Sequence, residues 1–318
     1  MTISVVIPLY NKARYVRRAI DSVLAQPIPD LEIVVVDDGS TDGGADIVRG
    51  IADSRIRLVV QENAGECAAR NRGIQEASSL DLIAFLDADD EWTPAFLETV
   101  TDLHARYPEA GMYGTSYLLC RDGKRWRPTF KDCIDSRDGG LLDDFFQAAA
   151  WNSPICSSAV VVPKRVFDQV GGFPVGVRRG GDMHMWTRIA LMYRVAWSPV
   201  DGAVYHLSAE NRAVDTFRAD VDVAEAPVIT EFLHSGRRPI GSRWVLEEYL
   251  TSRRLKNATE LYLAGDRAQA KKLVGLTRGT SRFRWWRLRL KLALLIPPSL
   301  VPPAQTLWAS ARRLREKR

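Results

Sequence analysis

The stretch "LIAFLDADDEW", residues 82–92, joins two kinds of chemistry in one short run. Leu82 to Leu86 is continuously apolar, the pattern of a strand covered on both faces. It leads straight into Asp87, Asp89 and Asp90. Side chains alternate along an extended chain, so Asp87 and Asp89 are expected on one face and Asp90 on another. Two carboxylates about 4–5 Å apart repel by roughly 3–4 kcal/mol at an effective dielectric near 20. A raised pKa, solvent exposure or a bound cation relieves that repulsion. An all-oxygen set without Cys or His suits Mg²⁺ or Mn²⁺ better than zinc. The alternative is a solvated loop whose acids favour the N-terminus of the next helix.

Outward from this stretch, strand and helix signals alternate. "ISVVIP" is an apolar run, followed by the helical pattern "ARYVRRAIDSVLAQ", which Pro27 stops. "LEIVVVDDGSTD" reads as a strand ending in turn residues, with Thr41 or Asp42 placed to cap the helix "GGADIVRGIAD". "IRLVV" is a third strand, "GECAARNRGIQEA" a helix, and "TPAFLETVTDLHARY" the helix after the acidic turn. Continuous apolar strands separated by helices indicate a mostly parallel α/β sheet flanked by helices. Ligands of such sheets bind beyond the carboxyl ends of the strands. Those ends carry Pro8–Asn11, Asp37–Asp38 and Asp87–Asp90. Between residues 110 and 210, "GMYGTSYLLC", "SSAVVVP" and "YRVAWSP" read as strands, and "PKRVFDQV" and "GDMHMWTRIALMY" as helices. "WVLEEYLTSRRLKNATELYLAGDRAQAKKLVGLT" is a helical extension, with Gly265 dividing it into a hairpin.

Turn chemistry accounts for Asp38 to Asp42 but less well for Asp37, which stands at the strand end. A carboxylate there suits acceptance of the N3–H of a uracil ring, and Arg70 suits donation to a neighbouring ring carbonyl; a surface arginine is the plainer alternative. Neither GxxxxGK[ST] nor GxGxxG follows any strand, which disfavours a glycine-rich phosphate loop and leaves a metal as the expected pyrophosphate partner.

Taken in order, "SVVIPLYNKARYVRRAIDSVLAQ", "IVVVDDGSTD", "NAGECAARNRGI" and "LIAFLDADDEW" resemble the family 2 glycosyltransferases of the GT-A fold. The likeness is close over residues 3 to about 105 and looser to about 210. It implies a nucleotide-sugar donor, a UDP-sugar by preference, and a metal motif at Asp87-Ala88-Asp89. By the same resemblance Pro8 and Tyr10 line the nucleobase pocket, Asn11 belongs to the nucleotide-binding set, and Asp37 and Arg70 hold the base. Asp87 contacts the ribose or the metal, and Asp89 ligates the Mg²⁺ or Mn²⁺ that bridges the diphosphate. The family's acceptor-side base falls on Asp182 within "RRGGDMHMWTRIA", where Gly181 replaces an expected glutamate; a helix N-cap is the plainer reading of Asp182. The implied reaction is inverting transfer to a hydroxyl of a glycan or lipid-linked acceptor, in cell-surface polysaccharide synthesis. A nucleotidyltransferase is disfavoured because "PLYNKARY" has no glycine; a non-catalytic nucleotide-sugar-binding protein is a further alternative. "SRFRW" carries Ser281 where the processive relatives have the glutamine of QxxRW, which favours single additions.

The net charge of +5 is unevenly spread. Residues 281–318 hold 10 Lys and Arg against one acidic residue, Glu316, so the body before them is net acidic. That argues against nucleic acid as a partner. The tail "SRFRWWRLRLKLALLIPPSLVPPAQTLWASARRLREKR" is long enough between Leu292 and Ala311 to span a bilayer, but Pro297, Pro298, Pro302 and Pro303 interrupt it. A short surface helix over 282–296, with Trp285 and Trp286 at headgroup level, is expected to meet an anionic membrane; packing on the body is the alternative. No signal peptide is read at "MTISVVIPLYN", and Cys67, Cys120, Cys133 and Cys156 are read as reduced thiols. The expected place is the cytoplasmic face of the membrane, held peripherally. The expected domains are 1–225, divided into a nucleotide half (1–105) and an acceptor half (106–225), then a helical extension (226–280) and the basic tail (281–318). His104 and His234 are expected at the surface, His184 in a structural role, and His206 either near the donor phosphates or simply at a strand end.

Overall fold

The computed structural model describes residues 2–78, 81–133, 138–210, 222–237, 239–240, 242–277 and 281–296. One mixed sheet organises the body. Its parallel half runs β3 (Ile56–Gln61), β2 (Leu31–Asp38), β1 (Ile3–Leu9) and β4 (Leu82–Phe85). Then β9 (Val160–Pro163) pairs antiparallel with both β4 and β6 (Met112–Arg121), and β6 pairs parallel with β10 (Val195–His206). The two-residue β5 (Glu91–Trp92), which follows the acidic turn, pairs antiparallel with β10. Short strands β7 (Lys124–Trp126) and β8 (Gly140–Leu141) join β6 and β10.

Alternation along the strands builds two cores. Ile3, Val5 and Ile7 of β1 face α1 (Ala13–Leu24) and α4 (Phe96–Arg106), packing with Val16, Ile20, Leu97 and Val100. Val6, Ile83 and Phe85 face the other side, where α3 (Glu66–Glu76), α6 (Lys164–Val170) and α7 (Gly181–Met192) supply Ile74, Val166 and Trp186. Helix α3 lies hard against β1, for a Cβ on Gly73 would stand 2.3 Å from Val6 Cγ1. That close approach fixes the helix carrying Arg70.

The helical region comprises α8 (Glu225–His234), α9 (Arg243–Leu263), α10 (Arg267–Leu276) and α11 (Arg284–Leu295). Ser242 caps α9 and Asp266 caps α10, each by accepting a backbone N–H. Gly265, at φ 86°, makes the turn between them, as the sequence suggested. Tyr249 of α9 stacks edge-on against Phe146 of α5 (Phe145–Ala149) at 5.3 Å, tying the extension to the body.

Some local readings are corrected. Helix α2 spans only Gly44–Arg49, and its N-cap is left-handed Gly43 rather than Thr41 or Asp42. Asp42 is used across the turn instead, accepting from Ala13 N at 2.7 Å and Gly44 N at 3.0 Å. His104 is half-buried and bonded to the Tyr113 hydroxyl at 2.9 Å. The prolines at 297, 298, 302 and 303 lie outside the described residues.

Candidate active site

Three strand ends meet at one rim, and side chains stitch them together. Asn11, with φ at 51°, follows β1; its N–H donates to Ser40 Oγ at 3.0 Å, and its Oδ1 accepts from Thr41 N at 2.8 Å. Lys12, at the N-cap of α1, reaches the acidic turn, where its Nζ meets Asp89 Oδ2 at 2.7 Å. Arg70, only 1% exposed, donates to Asp87 Oδ1 at 2.7 Å and also pairs with Glu66. The surface reading of Arg70 is therefore excluded.

Asp37 is buried at the end of β2, with Oδ1 accepting from Ser40 N at 3.1 Å. Its neighbour Asp38 is a loop anchor, accepting from Gln61 Nε2, Ala64 N and Gly65 N. Among the described contacts Arg70 bonds Asp87 and Glu66, not Asp37. Pro8 lies within β1 and Tyr10 is half-exposed just beyond it, on the same rim.

The acidic turn divides its labour by facing direction, as the alternation predicts. Asp87 and Asp89 take the two cationic partners. Asp90 points inward and is held by Ser158 Oγ at 2.5 Å and His206 N at 2.8 Å. Ser158 Oγ also accepts from Asp87 N at 3.2 Å, so one hydroxyl staples the turn at two points. Burial pushes the Asp87 carboxyl up, to about 7, with Arg70 opposing and the charges of Glu66 and Asp89 adding to the rise. Burial works against the Arg70 charge, but Glu66, Asp87 and Asp182 outweigh it and hold the guanidinium above the usual arginine range.

Asp182 enters from a different segment. Its helix is capped by left-handed Gly180, and no side chain caps it, so the N-cap reading of Asp182 does not hold. The carboxylate instead accepts from Ser157 Oγ at 3.3 Å. Its neighbour Gly181 abuts Cys67 on α3, so Asp182 starts its helix beside the helix that carries Arg70. The absent glutamate also has a steric reason: a Cβ on Gly181 would lie 2.3 Å from Cys67 Sγ. Burial pushes that thiol up to about 11, so Cys67 fills space rather than reacting.

His206 closes β10 with its ring 3.2 Å from Glu91 Oε1, and burial lowers its pKa. It lines an open cavity of about 510 Å³ with Arg18, Asp122 and Arg125, beside the acidic turn. His184 is half-buried on α7, and its Nδ1 has no partner among the described residues.

A hard divalent cation fits this donor set. Asp87 and Asp89 offer oxygen only, and a bound ion would share them with Arg70 and Lys12, with which they are paired. Among the described residues no group of three His, Cys, Asp or Glu gathers to hold an ion. Mg²⁺ is ordinarily held by one or two carboxylates with substrate phosphates completing its shell, so two suffice.

Sequence reasoning missed Lys12, Ser157 and Ser158. Lys12 carried a signal, since it directly follows the strand-end cluster. The serines sat in "SSAVVVP", read as strand, where Ser157–Ala159 forms a 3-10 turn before β9.

Comparison with known proteins gives the family and the fold. The profile of Glycosyl transferase family 2 matches residues 4–162, half of the chain, and the chain belongs to that family. An uncharacterised glycosyltransferase of Nostoc sp. is 46% identical over 106 residues, 32% of this chain; the match spans a third of that relative's length. Among solved structures, residues 1–349 of S. aureus TarS in complex with UDP-GlcNAc superpose with a TM-score of 0.70 at 15% identity, covering 92% of this chain and 88% of that fragment. The mannosyltransferase PcManGT of Pyrobaculum calidifontis, in complex with GDP-Man and Mn²⁺, gives 0.58 at 23% identity, covering 96% and 82%. These likenesses establish the GT-A type of mixed α/β fold with a helical C-terminal region.

Proposed function

We propose that the protein is an inverting, metal-dependent glycosyltransferase that moves a sugar from a nucleoside diphosphate, by preference uridine diphosphate, to a hydroxyl of a glycan or lipid-linked acceptor. The observation that supports this is the meeting of Asp87–Arg70 and Asp89–Lys12 on one rim, with Asp182 on α7 next to Gly181, which abuts Cys67 on the helix of Arg70. The solved neighbours are complexes with UDP-GlcNAc and with GDP-Man and Mn²⁺, which supports a nucleotide-sugar donor.

Pro8, Tyr10 and Asn11 flank the base, and the buried Asp37 accepts from it. Arg70 orients Asp87 toward the ribose side. Mg²⁺ or Mn²⁺ held by Asp89 and Asp87 would neutralise the charge that grows on the departing diphosphate. Asp182 takes the proton of the acceptor hydroxyl as its oxygen bonds to the anomeric carbon. The carbon–oxygen bond to the diphosphate breaks on the opposite side, and that electron pair leaves with the nucleotide. Ser157 holds the Asp182 carboxylate toward the acceptor.

The tail adds a place of work. Trp285, Leu288, Leu292 and Leu295 follow helical spacing along one outward face of α11, with Trp285 63% and Leu295 78% exposed. Arg284, Arg289 and Lys291 flank that face. The inner side packs through Phe283, Trp286 and Leu290, so α11 both docks on the body and presents an apolar stripe. An anionic membrane surface at the cytoplasmic face suits that stripe and its basic flanks. No helix among the described residues is long and apolar enough to cross a membrane.

A panel of sugar nucleotides screened by thermal shift, with and without Mn²⁺, tests the donor assignment. The expected result is a Mn²⁺-dependent rise with one or a few donors, followed by transfer. No response to any nucleotide would overturn it.

A further inference from the structure

Glu225 is the first residue of α8 and is 1% exposed, an unusual place for a carboxylate. Its Oε1 accepts from the Tyr249 hydroxyl at 3.1 Å and from Arg253 Nε at 2.9 Å, both one turn apart on α9. A buried ion pair of this kind is costly to desolvate, so stability alone is a weak reason for it. Arg253 itself keeps 21% of its side chain exposed. Among the described residues only its Nε has a hydrogen-bond partner.

The surroundings of that guanidinium belong to the cleft. Gly180, which opens α7, abuts Ala224: a Cβ at 180 would lie 3.5 Å from Ala224 Cβ, so Asp182 and Glu225 begin neighbouring helices. Burial works against the Arg253 charge, but Glu225, Tyr249 and Asp182 together hold it above the usual arginine range. The Tyr117 hydroxyl, bonded to Ser153 O at 3.1 Å, feels both Asp182 and Arg253. The contact of Gly180 with Ala224 therefore sets the start of α7, with Asp182, beside the start of α8, with the Glu225–Arg253 pair.

We propose that Arg253 is an acceptor-binding residue, held by Glu225 so that its terminal amino groups engage an anionic group, phosphate or carboxylate, on the acceptor. This rests on the assignment of Asp182 as the base. An anion brought beside a carboxylate base is repelled unless a cation stands there, whereas a neutral sugar needs none. The planar fork of arginine matches either anion with two parallel hydrogen bonds.

The test titrates the full chain with glucose 6-phosphate, glucuronate and glucose, each with and without saturating uridine diphosphate and Mn²⁺, read by calorimetry. The expected wild-type result is at least tenfold tighter binding of an anionic probe than of glucose; which of the two wins separates phosphate from carboxylate. Arg253→Gln should bring the anionic probe to the glucose level, and Arg253→Lys should keep part of the preference. Because an unpaired Glu225 can unfold the variant, the double change Glu225→Gln with Arg253→Met should show the same loss while circular dichroism and nucleotide affinity stay as in the wild type. Equal binding of charged and neutral probes by the wild type, or a preference surviving in the folded double variant, would overturn the proposal. Asp182→Asn should lose transfer yet keep the anionic preference, so failure of the base assignment reads differently from failure of the Arg253 assignment.

Discussion

Asp182 stands in the first turn of α7, where a carboxylate ordinarily turns back onto its own helix, yet it turns to the hydroxyl of Ser157 instead. Asp182→Asn keeps that size and removes the proton-accepting charge. Transfer should fall by roughly 10²–10⁴-fold, the usual yield of a general base, with nucleotide affinity unchanged in a titration. Asp89→Ala should also abolish transfer but weaken Mn²⁺-dependent nucleotide binding; wild-type turnover by either variant removes its residue from the site. Asp87 gives a pH signature. Burial first, then Glu66 and Asp89, raise its carboxyl from 3.8 to about 7 against the pull of Arg70. Across that window the folded protein holds a proton that the unfolded chain has released, so stability falls as pH rises through it. Without divalent cation, the melting temperature should decline from pH 5 to 7.5, and Asp87→Asn should flatten the decline; an unaltered slope would show that Asp87 is not the group responsible.

At the scale of elements, the seat of α3 on β1 decides where Arg70 stands. Gly73→Ala would drive a methyl to within 2.3 Å of Val6 Cγ1, an overpacking that costs about 1–3 kcal/mol. Lifting α3 should part Arg70 from Asp87, so nucleotide affinity should fall along with the melting temperature; affinity intact in a destabilised variant would mean that Arg70 does not serve the nucleotide. The strands and the facing of the acidic turn were legible because period-2 burial and strand-end chemistry are local. The caps were not: Thr41 and Asp42 have the right chemistry, but glycine alone takes the left-handed backbone at 43 without strain. Helix α7 repeats this at Gly180, which takes the cap position that the plainer reading gives to Asp182. Lys12–Asp89 and Arg253–Glu225 join residues 77 and 28 positions apart, a pairing that chain spacing does not encode.

For the molecule as a whole, α11 sets apart an inner face that stabilises the extension from an outer one that none of the described residues covers. Replacing Leu288, Leu292 and Leu295 with serine should release the protein from anionic vesicles in a flotation assay while the melting temperature holds. Removing residues 281–318 should shift it from membrane pellet to supernatant but also lower stability, because Phe283 and Leu290 leave their cluster. Vesicle binding unchanged in both would remove the membrane from the account. A different consequence follows from the order of the site along the chain. Asp37, Arg70, Asp87 and Asp89 all precede the end of α4, whereas Ser157, Asp182 and Arg253 all follow it. Under the proposed mechanism, a crossover between related genes in the loop at residues 107–111 would exchange the cradle of the leaving group and keep that of the incoming nucleophile. Any such exchange would have to keep Ser158, because its hydroxyl, from the second half, bonds Asp87 and Asp90 of the first.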